Sequence, residues 1–127
     1  MLKRSLPWLM LTVAAIMTAC VSMPNDSTGE LTIAKDKLTF IDFYSDECPN
    51  CMIMQPIVDK LGNRYRDQMT FKVLNIDTDG KSLFESMGLR GNPVFLILRS
   101  DNSLVYKGYG KVPELALDKA IREAIGL

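Results

Sequence analysis

Residues 38–51 read LTFIDFYSDECPNC, and this stretch determines the predicted fold. Its first seven residues are aromatic, β-branched or apolar apart from one aspartate, which predicts a buried strand. The polar residues 45–47 then predict a loop. Pro49 suits the first position of a helix, so Cys48 and Cys51 are expected where the strand passes into that helix.

The rest of the chain alternates predicted helices and strands. Apolar residues recur at helical spacing over 49–66, and Pro56 inside this helix should kink it. The further predicted elements are a strand over 70–76, a short helix over 81–87, a strand over 93–99, a strand over 103–107 and a helix starting near Pro113. The strand-helix-strand part favours parallel pairing and the final hairpin antiparallel pairing. This order predicts an α/β fold, with a mixed four-stranded sheet flanked by helices, over residues 31–127.

Composition and charge exclude several classes of function. The chain has 127 residues, of which 47% are hydrophobic and 24% charged, as in one globular domain. Fifteen basic residues balance 15 acidic ones, so no net charge draws the protein to nucleic acid. There is no histidine, which excludes Ser-His-Asp and Cys-His catalysis and zinc sites that need imidazole. The three cysteines are the remaining conspicuous chemistry.

The start of the chain has the order of an export signal. Lys3 and Arg4 precede an apolar run and then small residues, which predicts a signal over residues 1–19. The letters MTAC, ending at Cys20, resemble the lipobox of bacterial lipoproteins, which implies lipidation of that cysteine. An uncleaved anchor helix and ordinary cleavage that leaves a free thiol are the alternatives. Residues 20–30 are polar and turn-rich, as expected of a linker between a lipid anchor and a domain.

The position of Cys48 and Cys51 suits thiol chemistry. At a helix N-terminus, unpaired N–H groups and the helix dipole favour the thiolate form of Cys48, which is the form that attacks disulfides. Two intervening residues allow Cys51 to close a small ring and resolve a mixed disulfide. A static structural disulfide is the alternative, although a domain of this length can bury a core without one.

The whole predicted domain resembles the thioredoxin family. The matching pieces are IDFY at 41–44 before Cys48, Pro56 five residues after Cys51, LNID at 74–77, MGLRGNP at 87–93 and Gly108 before the last helix. The resemblance implies a thioredoxin-like fold. It also implies that Cys48 is the nucleophile, Cys51 the resolving thiol and Asp42 a buried carboxylate that exchanges a proton with Cys51. A carboxylate that faces water on an edge strand is the alternative for Asp42.

The resemblance further implies a substrate-binding edge. Pro93 would be cis and pack against the cysteine pair, and the Asn92 backbone would bind a substrate chain as an added strand. Pro49 and Asn50, between the cysteines, belong to the same expected substrate-binding set. A trans proline that merely starts a strand is the alternative for Pro93. No cofactor is expected beyond the redox-active disulfide itself.

The sequence departs from the family pattern around the cysteines. Glu47 stands where the family has a tryptophan, and Asp46 adds a second negative charge, so both carboxylates oppose thiolate formation at Cys48. Val73 stands where the family has a lysine near the buried aspartate, although Lys72 is adjacent. The redox potential therefore does not transfer from the family.

These features predict a membrane-tethered thiol-disulfide oxidoreductase outside the cytoplasmic membrane of a bacterium, facing the periplasm or cell exterior. It would act as a monomer on protein disulfides or dithiols, most simply as a reductase of exported proteins supplied with electrons by a membrane partner. The alternatives are a dithiol oxidase and a non-catalytic module that binds a partner chain near Pro93. Met52 and Met54 follow Cys51 and could suggest binding of Cu(I). Helical spacing places Met54 on the core side, so no metal site is expected.

Overall fold

The structure is a computed structural model and describes residues 37–127. The predicted export signal, Cys20, the linker and residues 31–36 lie outside the described residues. The elements are β1 (Leu38–Tyr44), α1 (Pro49–Tyr65), β2 (Met69–Asn75), α2 (Lys81–Ser86), β3 (Val94–Leu98), β4 (Leu104–Tyr109) and α3 (Glu114–Ile125). Among these helices, none is both long and apolar enough to cross a membrane.

The four strands form one mixed sheet in the order β2-β1-β3-β4. β1 is central, pairs in parallel with β2 and antiparallel with β3, and β3 pairs antiparallel with β4. The predicted α/β architecture is therefore confirmed, with small differences in bounds. β4 runs on to Tyr109 because Val94 pairs with it, two residues beyond the predicted end of that strand.

The hairpin between β3 and β4 closes through a turn at residues 100–102. The Arg99 N–H donates to the Ser103 carbonyl at 2.9 Å, and the Asn102 N–H donates to the Arg99 carbonyl at 2.9 Å. Asn102 has a φ of 65°, in the left-handed region that asparagine tolerates better than most residues.

Two apolar cores lie on opposite faces of the sheet. The core under α1 and α3 contains Phe40, Met54, Val58, Leu61, Tyr65, Met69, Phe95, Ile97, Leu117, Ala120 and Ile121. The core under α2 contains Ile41, Phe43, Leu89, Val94, Leu96 and Leu98, with Leu83 and Phe84 packed against it. Successive side chains of a strand point to opposite faces, so Asp42 shares the face of Phe40, beneath α1.

A close approach at Gly80 supports the loop that follows β2. A Cβ on this residue would lie 2.9 Å from the Asn75 carbonyl oxygen and 2.9 Å from Leu74 Cβ. Because backbone must shift to make room, Gly80→Ala is expected to lower the free energy of unfolding by about 1–3 kcal/mol. Denaturant unfolding of the variant and the wild type measures this loss.

Gly62 in α1 provides the matched control. A Cβ there would meet the Phe71 ring at 3.5 Å, which is ordinary contact. Alanine also has the higher helix propensity, so Gly62→Ala is expected to leave stability unchanged or raise it by up to about 1 kcal/mol. Equal losses in the two variants would contradict the close-approach explanation.

Candidate active site

Three parts of the chain meet at one edge of the sheet. Tyr44, the last residue of β1, pairs with Asn75, the last residue of β2. Phe43 pairs with Val94 at the start of the antiparallel β3. The loops after β1 and β2 and the segment before β3, which ends at Pro93, therefore come together at the carboxyl end of β1.

The two cysteines lie at this edge and form a disulfide, with their Cα atoms 5.2 Å apart. Cys48 is the N-cap of α1, and its Sγ accepts a hydrogen bond from the Cys51 N–H at 3.1 Å. The donors of a helix N-terminus therefore point at this sulfur, and they stabilise negative charge on it when the disulfide is reduced.

The disulfide is largely covered by its surroundings. Cys48 is 4% exposed and Cys51 6% exposed. A cavity of about 230 Å³ opens beside Cys51, and it is lined by Tyr44, Ser45, Asp46, Cys51, Met52 and Gln55. A substrate must therefore insert its own sulfur into this edge of the protein in order to react.

Asp42 is buried beneath α1, on the face to which this helix also directs Cys51 and Met54. The residue is 2% exposed, so the water-facing alternative is wrong. Burial, and secondarily the negative charge of Asp59, raises the pKa of the Asp42 carboxyl from 3.8 to about 7. Within residues 37–127, its buried Oδ1 has no hydrogen-bond partner. Asp42 can therefore bind or release a proton close to neutral pH.

The strand register explains why the nearby Lys72 does not offset this burial. Val73 is the residue paired with Asp42 across β1 and β2, so the departure noted in the sequence falls directly beside the carboxyl group. Lys72 pairs with Ile41 instead, and its side chain therefore leaves the sheet on the opposite face. Burial and the charge of Asp59 therefore raise the pKa of Asp42 without an opposing effect from Lys72.

Asn75 is a site residue that sequence reasoning missed. Its side chain is 7% exposed, its Nδ2 donates to Asp46 Oδ1 at 3.3 Å, and its Oδ1 accepts from the Asp77 N–H at 2.9 Å. Asp46 belongs to the active-site loop, defined as residues 45–47. Asn75 thus connects the end of β2 to the loop that leads into the cysteine pair.

Asn92 holds the same loop from the other side. Its Nδ2 donates to the Ser45 hydroxyl oxygen, and the Asn92–Pro93 peptide bond is cis, as the resemblance implied. Pro93 is buried, and its carbonyl accepts from the Gly110 N–H at 2.9 Å. The expected roles of Asn92 and Pro93 in binding a substrate backbone stay predictions, to which the structure adds a loop-holding role for the Asn92 side chain.

The remaining predicted residues fall at the start of α1. Pro49 and Asn50 are exposed beside the disulfide, and their part in substrate binding stays a prediction. Met54 is 1% exposed and packs in the core, whereas Met52 is 74% exposed, so these two side chains do not converge on one ion. In the described part of the chain, no group of three or more histidine, cysteine or acidic side chains is placed to hold a metal.

Comparison with known proteins identifies relatives of both sequence and fold. A thioredoxin of Chlorobaculum thiosulfatiphilum is 29% identical over 91 residues, covering 72% of this chain and 82% of that protein. Thioredoxin-T of Drosophila melanogaster is 31% identical over 80 residues, covering 63% of this chain and 50% of that protein. The chain matches 40% of the length of the chloroplastic thioredoxin-like protein HCF164 of rice, Oryza sativa, at 29% identity over 80% of this chain. It thus spans half or less of the fly and rice proteins.

The fold agrees with these sequence matches. The crystal structure of thioredoxin f2 from Chlamydomonas reinhardtii superposes with a TM-score of 0.64 at 26% identity, covering 74% of this chain and 84% of that one. The thioredoxin family model matches residues 21–123, which include the whole active-site edge. This chain belongs to the thioredoxin family, and its Cys48–Cys51 disulfide lies within the residues that the family model matches.

Proposed function

We propose that the chain is a membrane-tethered reductase of disulfides in exported proteins, acting through Cys48 and Cys51. The observation that carries the chemistry is the hydrogen bond from the Cys51 N–H to Cys48 Sγ at the first turn of α1. In the reduced protein, this donor stabilises the negative charge of the Cys48 thiolate, which must attack a substrate.

The reaction consists of two thiol-disulfide exchanges. In the reduced protein, the Cys48 thiolate attacks a substrate disulfide, forms a mixed disulfide and releases one substrate thiolate. Cys51 then loses its proton and attacks the Cys48 sulfur. The mixed disulfide breaks, the second substrate thiolate leaves, and the protein holds the Cys48–Cys51 disulfide. Two electrons have passed to the substrate, so a dithiol partner at the membrane must supply two electrons for the next cycle.

Asp42 provides a proton acceptor for the second exchange. It lies under α1, and its pKa of about 7 leaves it partly ionised at neutral pH. Across β1 and β2 its paired residue is the uncharged Val73. The carboxylate takes up the Cys51 proton, directly or through one water, and thereby makes the resolving sulfur nucleophilic.

The charges beside Cys48 favour the reducing direction. A dithiol is a strong oxidant when its reduced form is specially stabilised. Asp46 and Glu47 directly precede the nucleophile and oppose its thiolate, so they destabilise the reduced form. The protein is therefore expected to give up electrons more readily than an oxidase would.

The proposed cellular location of the protein rests on its first 20 residues. The export signal over residues 1–19 and the lipobox ending at Cys20 support a lipid anchor on the outer side of a bacterial membrane. Metabolic labelling with a fatty-acid analogue tests this directly. Wild-type protein is expected to take up the label, and Cys20→Ser is expected to lose both the label and membrane association.

Trapping of a mixed disulfide tests the order of the two steps. Cys51→Ser retains the attacking sulfur but lacks the resolving one, so it is expected to accumulate a covalent complex with a disulfide-bonded protein. Non-reducing electrophoresis detects this complex, and dithiothreitol should separate it into its two proteins by reducing the mixed disulfide. Cys48→Ser is the matched control and should form little or none. Equal yields from the two variants would contradict the assignment of Cys48 as the nucleophile.

A further inference from the structure

Two exposed carboxylates stand directly beside the attacking sulfur. Asp46 and Glu47 precede Cys48, and both are exposed. Within residues 37–127, the ion pairs join Lys60 to Glu114, Arg64 to Asp118 and Lys119 to Glu123, so neither loop carboxylate is paired with a basic side chain of this range. Their negative charge is available to an incoming molecule.

The structure holds in place the loop that carries these charges, and it orients the carboxylate of Asp46. Asp46 Oδ1 accepts from the buried Asn75 amide at 3.3 Å, a neutral donor that orients the carboxylate without cancelling its charge. The preceding residue, Ser45, accepts from the Asn92 side chain. A loop fixed from both sides loses little conformational freedom when it binds, which favours a specific rather than a diffuse electrostatic contact.

An apolar surface adjoins the carboxylates. Met52 is 74% exposed and Ile53 is 53% exposed on the first turns of α1, immediately after Cys51. Met52 and Asp46 line the same cavity beside the disulfide. Covering large apolar side chains next to a reactive group removes them from water, which favours the binding of a partner there.

We propose that Asp46, Glu47, Met52 and Ile53 form a substrate-selecting rim for extended protein segments in which a lysine or arginine and an apolar residue flank the target cysteine. The carboxylates attract the basic side chain and repel acidic segments, while the methionine and isoleucine cover the apolar residue. This inference rests on the proposed function and adds the class of substrate to it.

Two peptide disulfides test the charge preference. Each is a symmetrical dimer of a capped peptide with leucine on one side of its cysteine, and either lysine or glutamate on the other. The reduced full-length protein is expected to react with the lysine peptide at least about fivefold faster at low ionic strength. The ratio should fall towards one in about 1 M salt, where charges are screened within about 3 Å.

Matched double variants identify the source of the preference. Asp46→Asn/Glu47→Gln is expected to bring the ratio close to one, while its rate with the neutral reagent hydroxyethyl disulfide stays equal or rises because the thiolate forms more easily. Asp67→Asn/Asp101→Asn removes the same charge from exposed loops at the opposite edge of the sheet, and should keep the ratio.

Glutamine at both apolar positions tests the other half of the rim. Met52→Gln/Ile53→Gln is expected to lower the rate with the lysine peptide, taken relative to the rate of the same variant with hydroxyethyl disulfide, by about threefold or more. Equal rates for the two peptides with the wild-type protein, or a ratio that survives in Asp46→Asn/Glu47→Gln, would overturn the inference and leave the proposed function standing. Failure to reduce either peptide or the neutral disulfide would overturn both.

Discussion

Replacing Cys48 with serine is expected to abolish catalysed reduction of protein disulfides. A serine hydroxyl does not ionise near neutral pH and cannot form the mixed disulfide, so the rate should fall to that of dithiothreitol alone. The measurement is the rate at which dithiothreitol reduces a disulfide-bonded test protein, with and without the variant.

The third cysteine supplies the control for this result. Cys20 lies outside the proposed chemistry, and Cys20→Ser is expected to retain the full rate on a soluble substrate. Catalysis by Cys48→Ser above the background rate would show that another group attacks the substrate, and it would contradict the site as described.

The variant Asp42→Asn is expected to be much more stable than the wild type above neutral pH. The pKa of this carboxyl is 3.8 in the unfolded chain and about 7 in the folded chain, so its ionisation lowers the free energy of unfolding by about 4 kcal/mol. Because the folded protein binds the proton more tightly, wild-type stability should fall as pH rises from about 4 to about 7, and then level off. Asparagine does not titrate, so this dependence should be largely lost in the variant.

Denaturant unfolding of the disulfide form at several pH values tests this expectation. The difference between the variant and the wild type should be small near pH 4 and approach its full size above pH 8. Asp59→Asn is the partner control, since the charge of Asp59 is the second cause of the raised pKa. It should move the titration of Asp42 to slightly lower pH without removing it. A difference independent of pH would mean that Asp42 ionises normally in the folded protein.

The same substitution separates the proton-transfer role from stability. If Asp42 accepts the Cys51 proton, release of the second substrate thiol should depend on pH with an inflection near 7 in the wild type. Asp42→Asn should slow this step and lose the inflection, while the initial attack by Cys48 continues. An unchanged pH profile would leave Asp42 without a part in the reaction.

Much of the fold was predictable because the elements carry strong local patterns. The run before the active-site loop predicted a buried strand, and the family resemblance implied that its aspartate is buried. The structure has β1 in the centre of the sheet and Asp42 2% exposed. Pro49 predicted the start of α1, and the structure begins the helix there with Cys48 as its cap. The export signal and Cys20 lie outside the described residues and stay predictions.

The missed features depend on contacts between distant parts of the chain. Asn75 and Asp46 are 29 residues apart, and no local pattern indicates that their side chains meet. Likewise, the adjacent residues Lys72 and Val73 could be distinguished only by the strand register, which places Val73 against Asp42. A shift of one residue would have reversed their faces and given the buried carboxyl a cation.

The most direct test of the account is the equilibrium reduction potential of the Cys48–Cys51 pair. The full-length protein is equilibrated in dithiothreitol or glutathione buffers, and its free thiols are trapped and counted. The account predicts a value near that of thioredoxin, about −270 mV, which makes the protein a reductant that needs an electron supply. A value near about −120 mV would identify an oxidant that installs disulfides, and would contradict the proposed direction.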